Sequence, residues 1–516
     1  MPRAPLALLV ALALVSALLA TLSLPSFDLG LLAWIALAPL LYALRQRGLA
    51  AGAGLGWLFG YAFGAGSFFW INVIPGLEPV RFALLAAVFS LYYLAFGFLY
   101  ALASRRLGSW MLLGAPVLWV ALEYARGSMG FLAHPWNFLG HSQYQAPAAI
   151  QIAELGGAYA VSFVLVMANQ LASQLPDVLG ARRWRWRAQS LALGLVLAAT
   201  LLFGWYRIAP ETPASAHLRV ALVQANVIAR NGMSAGEQVK HLAAYGRLTS
   251  DAAKHGPDLI VWPSSSLPGP ISFWMVRLYV GDVAQRAGAP LLVGGAGGDK
   301  FAPAREGHLP YSNSEFLISP RGQLEGQYNK VRLTPFSEQV PLQGIVRWPR
   351  WMTTLEKSFV PGEGYTLFRV GRGRFGAPIC WENAFPDLFR RFVKSGANFM
   401  VSVTNESVFG VTAGPRQTLA MNAFRAVENR VAIARAATTG VSAFIDPRGR
   451  IVSRVRDARG ADLFVAGVLA WDVPLSDTKT FYTVYGDLFA QAVAGAALLI
   501  LLLCVPTPWR ARAPHP

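Results

Sequence analysis

A chain of 516 residues, 54% hydrophobic and only 14% charged, is too apolar for an ordinary soluble protein and fits a polytopic membrane protein with an added domain. Its 45 basic residues against 27 acidic ones give +18, but the excess accompanies apolar runs and makes no aromatic-interleaved stripe. That sets nucleic acid aside in favour of anionic phospholipid. Of two cysteines, Cys504 lies inside an apolar run, which excludes a disulfide framework, and the seven histidines form no ligand cluster, so neither metal nor cofactor is expected.

In chain order, apolar segments occupy about 5–24, 28–44, 50–71, 82–103, 107–122, 155–174 and 188–206, with an eighth at about 488–505. Most approach the roughly 20 residues that cross a bilayer core. The first is read as a retained span rather than a cleaved signal, because a second apolar run follows almost at once. With eight spans, Arg3, Arg45, Arg47, Arg105, Arg106, the run 182–187, Arg510 and Arg512 all fall on one side. The positive-inside rule makes that side cytoplasmic. The expected domains are residues 1–207 with seven spans, an extracytoplasmic domain at 208–487, and a last span with tail at 488–516.

Between 215 and 475, strand-like runs (218–226, 259–263, 290–295, 398–405) alternate with helical ones such as 234–256. That pattern predicts a layered α/β domain. Three stretches inside it carry chemistry. "FGAPICWENAFPDLFRR" (375–391) brings Cys380 to a strand end, with a helix starting near Pro386, where a thiol is open to substrate. "YNKVRLTPFSEQVPL" (328–342) offers Lys330 and Glu338, and a lysine beside a reacting carbonyl stabilises an oxyanion. "DLIVWPSSSLPGP" (258–270) ends a strand on three serines.

The soluble segment resembles a carbon–nitrogen hydrolase (nitrilase superfamily) domain, and the whole chain resembles the apolipoprotein N-acyltransferase family. The motifs "PWNFLGHSQY" (135–144), "VALVQAN" (220–226), "PFSEQVPL" (335–342), "ICWE" (379–382), "FRAVENR" (424–430), "TGVSAFIDPRGR" (439–450) and "TFYTVYGD" (480–487) carry the likeness. It implies an α-β-β-α sandwich on eight helices in the bacterial inner membrane, facing the periplasm. It also implies ping-pong acyl transfer from a phospholipid donor, through a cysteine thioester, to the amine of a diacylglyceryl lipoprotein acceptor. By motif, Cys380 matches the nucleophile, Lys330 the oxyanion lysine, and Glu338 and Glu382 supporting glutamates. No cofactor is implied, and a monomer is expected. In "VPLQGIVRWPRWMTTL" (340–355), aromatics beside arginines suit a bilayer interface. Trp348, Trp351 and Met352 are read either as a lipid-facing lid or as a packed surface loop. His134 and His141 are read as interfacial polar residues, and Arg425 and Glu428 as structural.

The resemblance places a general-base glutamate where this chain has Ser264, and no carboxylate lies between Asp258 and Asp282. Asn405-Glu406, Val408, Thr438, Met233 and Trp381 also stand where the family pattern differs. Losing a positioned base costs about 10²–10⁴ in rate. Three readings stay open: acyl transfer with Glu382 or Glu338 as substitute base, a non-catalytic lipid- or lipoprotein-binding paralogue, and a membrane thioesterase or amidase. A glutamate restored at 264 is expected to raise acylation.

Overall fold

The structure, a computed structural model, describes residues 4–504 except 46, 75–78, 179–182, 210–215, 231, 299–309, 351, 354 and 356. Arg3, Arg182, Arg510, Arg512 and Trp351 therefore lie outside the described residues, as does part of the 72–81 loop.

Each of the eight apolar runs is helical, including Leu6–Leu22, Ala38–Arg45, Leu49–Ser67, Leu91–Leu107, Met111–Ser128, Ala153–Ala172, Arg183–Ile208 and Leu488–Cys504. Length and composition together suit a bilayer crossing in three stretches among the described residues: Pro79–Ser128, Ala153–Ala172 and Trp184–Ile208. Leu6–Leu22, Gly30–Arg45 and Leu488–Cys504 are apolar but shorter. The expected count of eight is thus finer than helix length alone supports.

Leu49–Ser67 packs against Leu91–Leu107 along a stripe of glycines at every fourth position: Gly52, Gly56, Gly60 and Gly64. A Cβ on Gly56 would stand 2.1 Å from the Tyr93 carbonyl oxygen, and one on Gly97 would stand 2.2 Å from that of Gly52. Small residues let two backbones approach this closely where no hydrophobic effect drives helices together.

The α/β part contains twelve described strands: β1 (His217–Gln224), β2 (Leu259–Val261), β3 (Leu291–Gly298), β4 (Tyr311–Ile318), β5 (Leu324–Asn329), β6 (Phe368–Val370), β7 (Gly373–Gly376), β8 (Phe399–Thr404), β9 (Ile433–Ala437), β10 (Ala443–Ile445), β11 (Ile451–Arg454) and β12 (Gly467–Pro474). They form two sheets, ordered β12-β1-β2-β3-β4-β5 and β11-β10-β9-β8-β7-β6. The parallel pairs β1–β2–β3 and β7–β8–β9 lie centrally. They are buried on both faces, which is why they read as continuous apolar runs.

Leu222, Val261 and Leu292 of the first sheet share one core with Val401 and Ile433 of the second. On the outer face of the first sheet, Trp262, Val293 and Phe316 pack with Tyr245 and Val280 of the helices Ala235–Ala253 and Trp274–Ala287. Helices Pro386–Lys394 and Gly414–Asn429 cover the second sheet. The expected α-β-β-α layering is what the chain adopts. Local signals fix the boundaries: Ser234 caps Ala235–Ala253 by accepting from the Glu237 amide, while Glu237 accepts from the Ser234 amide.

Candidate active site

Cys380 stands where β7 hands over to a helix. After β7 the chain runs extended to Ile379, which bridges Val403 of β8; Cys380–Ala384 then makes one tight turn before Pro386 opens the next helix. Cys380 has φ of 50°, left-handed for a non-glycine residue. Such strain persists only where the surroundings enforce it.

Glu382 enforces it. Its Oε1 accepts from the amides of Val331 and Arg332, its Oε2 accepts from the Ile379 amide at 2.8 Å, and the Tyr328 hydroxyl reaches both oxygens. The buried carboxylate thus staples the nucleophile turn to the segment after β5. Burial pushes Glu382 upward against those donors. Arg425 adds a second brace by donating to the Ala384 carbonyl while it pairs with Glu428 at 2.6 Å, both side chains being buried. The structural expectation for this pair fits that geometry.

The half-buried Cys380 thiol interacts with the Thr404 side chain and lies 3.9 Å from the Asn405 carbonyl oxygen. Burial raises its pKa; the Lys330 charge pulls it back only in part. Lys330, just past β5, is 1% exposed and donates to Glu338 Oε2 at 2.5 Å and to Thr334 Oγ1 at 3.0 Å. An ammonium has three donors, so one N–H remains for a developing oxyanion.

Glu338 spends its other oxygen on Asn313 Nδ2 and also accepts from the Thr334 amide. Burial pulls Lys330 down, but Glu338, Cys380 and Glu382 outweigh it and the pKa rises. Burial pushes Glu338 up, but Lys330 and the hydrogen bonds hold it below the usual carboxylate range. Both glutamates proposed as substitute bases therefore have both oxygens engaged as acceptors.

Ser264 is buried, and its Oγ has no hydrogen-bond partner. Its carbonyl lies 3.2 Å from Thr438 Oγ1, which is also 3.4 Å from the Thr404 carbonyl. Ser264 is thereby linked to the strand end that carries Thr404, the side-chain neighbour of the thiol.

Two further acidic residues lie here: Glu406, which the sequence marks as a departure from the family pattern, and Glu315, which sequence reasoning missed. Glu406 is buried, with Oε1 held by Arg435 at 2.6 Å and by Thr418. Glu315, on β4, is buried with neither carboxylate oxygen bonded. A charge inside the otherwise uncharged strand "YSNSEFLI" was the available signal.

Of the expected lid, Ile345 is 82% exposed, whereas Trp348 is half-buried, donating to the Pro341 carbonyl at 2.5 Å and meeting Phe336 edge-on. Met352 is half-buried. The apolar wall of the site comes from elsewhere. Trp381 stacks on Trp136 and packs on His134, with ring centroids 5.9 and 5.6 Å apart, and Trp136 meets Trp70. His134 and His141 correct their interfacial reading: the first is half-buried between indoles, and the second is buried against Phe138 and Phe424.

One buried amide ties this wall down. Gln417 Oε1 accepts from the indoles of Trp70 (3.0 Å) and Trp136 (2.8 Å), while Nε2 donates to the carbonyls of Pro25 (3.2 Å) and Ser67 (2.9 Å). Among the described residues, no group of three or more His, Cys, Asp or Glu is placed to hold a metal ion.

Comparison with known proteins gives the same frame. The family model "Apolipoprotein N-acyltransferase N-terminal domain" matches residues 16–171, and "Carbon-nitrogen hydrolase" matches 219–481. The apolipoprotein N-acyltransferase of Geobacter metallireducens is 35% identical over 507 residues, covering 95% of this chain and 94% of that protein. The one from Rhodopseudomonas palustris is 30% identical, covering 89% of this chain and 87% of that protein. Among solved structures, a mutant of the Nesterenkonia AN1 amidase of the nitrilase superfamily aligns at 20% identity and TM-score 0.39, covering 52% of this chain and 95% of its own. With these matches running nearly end to end, the chain belongs to the apolipoprotein N-acyltransferase family, with its catalytic part drawn from the carbon–nitrogen hydrolases.

Proposed function

We propose that this chain moves an acyl group from a phospholipid through a Cys380 thioester to the N-terminal amine of a diacylglyceryl-cysteine lipoprotein. One observation carries the reading. A half-buried thiol held at positive φ sits in the field of a buried Lys330–Glu338 pair, and the adjoining Trp381 rests on Trp136 in the loop that follows the apolar helix Met111–Ser128. The thiolate attacks the donor ester carbonyl, the free Lys330 N–H meets the oxyanion, and the lyso-phospholipid leaves as its alcohol. The acceptor amine then attacks the thioester, forming an amide and returning the thiol.

The same proposal covers the frame: eight spans in the bacterial inner membrane, residues 208–487 in the periplasm and a monomeric enzyme. Helix-end contacts support the orientation. Arg47 reaches the Ala4 carbonyl, Arg45 that of Ser173, and Gln189 that of Ser109, gathering basic residues at one end. Gln417, Arg430 and Arg448 of the α/β domain meet Pro25, Ser67, Gln151 and Arg207 at the other. Basic loops away from the domain support a cytoplasmic assignment for that end.

The test is incubation with phospholipid labelled in its acyl chain, followed by a diacylglyceryl peptide with a free N-terminus. The expected result is label on Cys380 that hydroxylamine releases, lost in Cys380→Ala, then label in the peptide as an amide. Label released as free fatty acid despite the acceptor would favour a thioesterase. No thioester, with lipid binding unchanged in Cys380→Ala, would favour the binding paralogue.

A further inference from the structure

The buried carboxylates in and around this site differ in how many partners they have. Glu338 and Glu382 have every oxygen engaged, and Glu406 gives one oxygen to Arg435 and Thr418. Glu315 gives none. A fully buried carboxyl without any partner is costly and uncommon, and it calls for a function.

Its position follows from strand register. β4 pairs with β3 so that Leu317 faces Leu292 and Glu315 faces Gly294. Leu317 and Leu292 belong to the core between the sheets, while Phe316 and Val293 point to the outer helices. Side chains alternate along a strand, so Glu315 also enters the space between the sheets. On the same face, Asn313 holds Glu338, the partner of Lys330.

Glu315 does not point straight up from its strand. A Cβ added to Gly294 would meet Glu315 Oε1 at 2.4 Å and Ser264 Cα at 2.6 Å. The carboxylate therefore lies over the glycine of β3 and abuts the end of β2, where the resemblance places a base and the chain has Ser264. From Ser264 the contacts continue through Thr438 to Thr404 and so to the thiol.

We propose that Glu315 is the proton acceptor of this site, reaching from β4 into the slot beside Ser264. The proposal deepens the acyl-transfer reading and rests on it. In the first half-reaction the Cys380 S–H bond breaks, Glu315 takes that proton, and the sulfur electron pair forms the bond to the acyl carbon. Glu315 then returns the proton to the departing glycerol oxygen. In the second half-reaction it takes a proton from the attacking amine and restores it to the sulfur. Burial holds the Glu315 carboxyl well above the ordinary range. It is therefore protonated at low pH and gains base character as pH rises.

The arrangement changes the expectation for Ser264→Glu. A second carboxylate would enter a slot already filled, so the single substitution should slow thioester formation. The paired exchange Ser264→Glu with Glu315→Ser should restore it.

Two readouts test the proposal on the full-length protein in lipid nanodiscs. The first is the rate of Cys380 thioester formation from labelled phospholipid. Glu315→Gln should lower it by about 10²-fold or more, and the paired exchange should recover most of the loss. The second is alkylation of Cys380 by iodoacetamide across pH, for which turnover is not needed. The parent should show a step that Glu315→Gln removes.

Thermal melting separates misfolding from chemistry. A folded-state carboxyl pKa above its unfolded value costs stability as pH rises beyond the unfolded value. Glu315→Gln should therefore melt no lower than the parent at neutral pH. Thioester formation in Glu315→Gln within about threefold of the parent, or a paired exchange that recovers nothing, overturns the proposal. A parent that alkylates with the Glu315-dependent step but never acylates overturns only the acyl-transfer reading.

Discussion

At the scale of single residues, Cys380 combines strain with reactivity. A left-handed backbone costs a non-glycine residue about 1–2 kcal/mol, and Cys380 adopts it at φ 50°. Cys380→Ala and Cys380→Gly should both abolish the thioester. The glycine variant should nevertheless unfold later than the alanine one, by about 1 kcal/mol in a denaturation series. Equal stabilities would mean the turn relaxes when the side chain is removed.

The neighbouring ion pair is inert to pH near neutrality. Glu338, held below its unfolded value, adds stability that is present above that value and lost as pH falls through the folded one. Lys330, raised above its unfolded value, adds stability that is full below that value and lost as pH rises through the folded one. A neutral-range change in acylation therefore does not come from this pair.

At the scale of elements, the glycine stripe offers a matched pair. Gly56→Ala drives a methyl against the Tyr93 carbonyl and should cost about 1–3 kcal/mol, seen as a lower melting temperature in detergent. Gly54→Ala, on the open face of the same helix with nothing within 4 Å, should leave melting unchanged or raised.

Elements were also the part most legible in the sequence. Apolar runs gave the helices to within a few residues, four of the six central strands (β1, β2, β3 and β8) read as short apolar runs, and the stretch 234–256 read as the helix Ala235–Ala253. Cys380, Lys330, Glu338 and Glu382 were found by motif and do converge. Glu315 was not, because its closeness to Ser264 depends on β4 pairing with β3 and on Gly294 being bare, and neither is written in a local pattern. The aromatic wall was missed for the same reason. Trp70, Trp136 and Trp381 lie far apart in sequence, and only tertiary packing stacks them.

At the scale of the whole molecule, Gln417 joins the two parts of the chain through a buried amide with all four of its bonds made. Gln417→Leu would strand two indole N–H groups and two carbonyls, at about 1–3 kcal/mol for each that stays dry. The expected result is a lower melting temperature and slower acylation from phospholipid, while Cys380 alkylation by a water-soluble reagent persists. A variant that acylates like the parent would show that the two parts need no fixed relation.

That join also turns the protein into a gauge of depth. With Trp136 anchored by Gln417 and Trp381 resting on Trp136, the thiol next to Trp381 keeps one altitude above the helix ends. Under acyl transfer, a lipid is then sorted by where its ester lies along the membrane normal rather than by how far its tail extends below. An acceptor must lift its amine to that same level, so a lipoprotein is measured by the distance from its anchor to its first residue before any of its sequence is read.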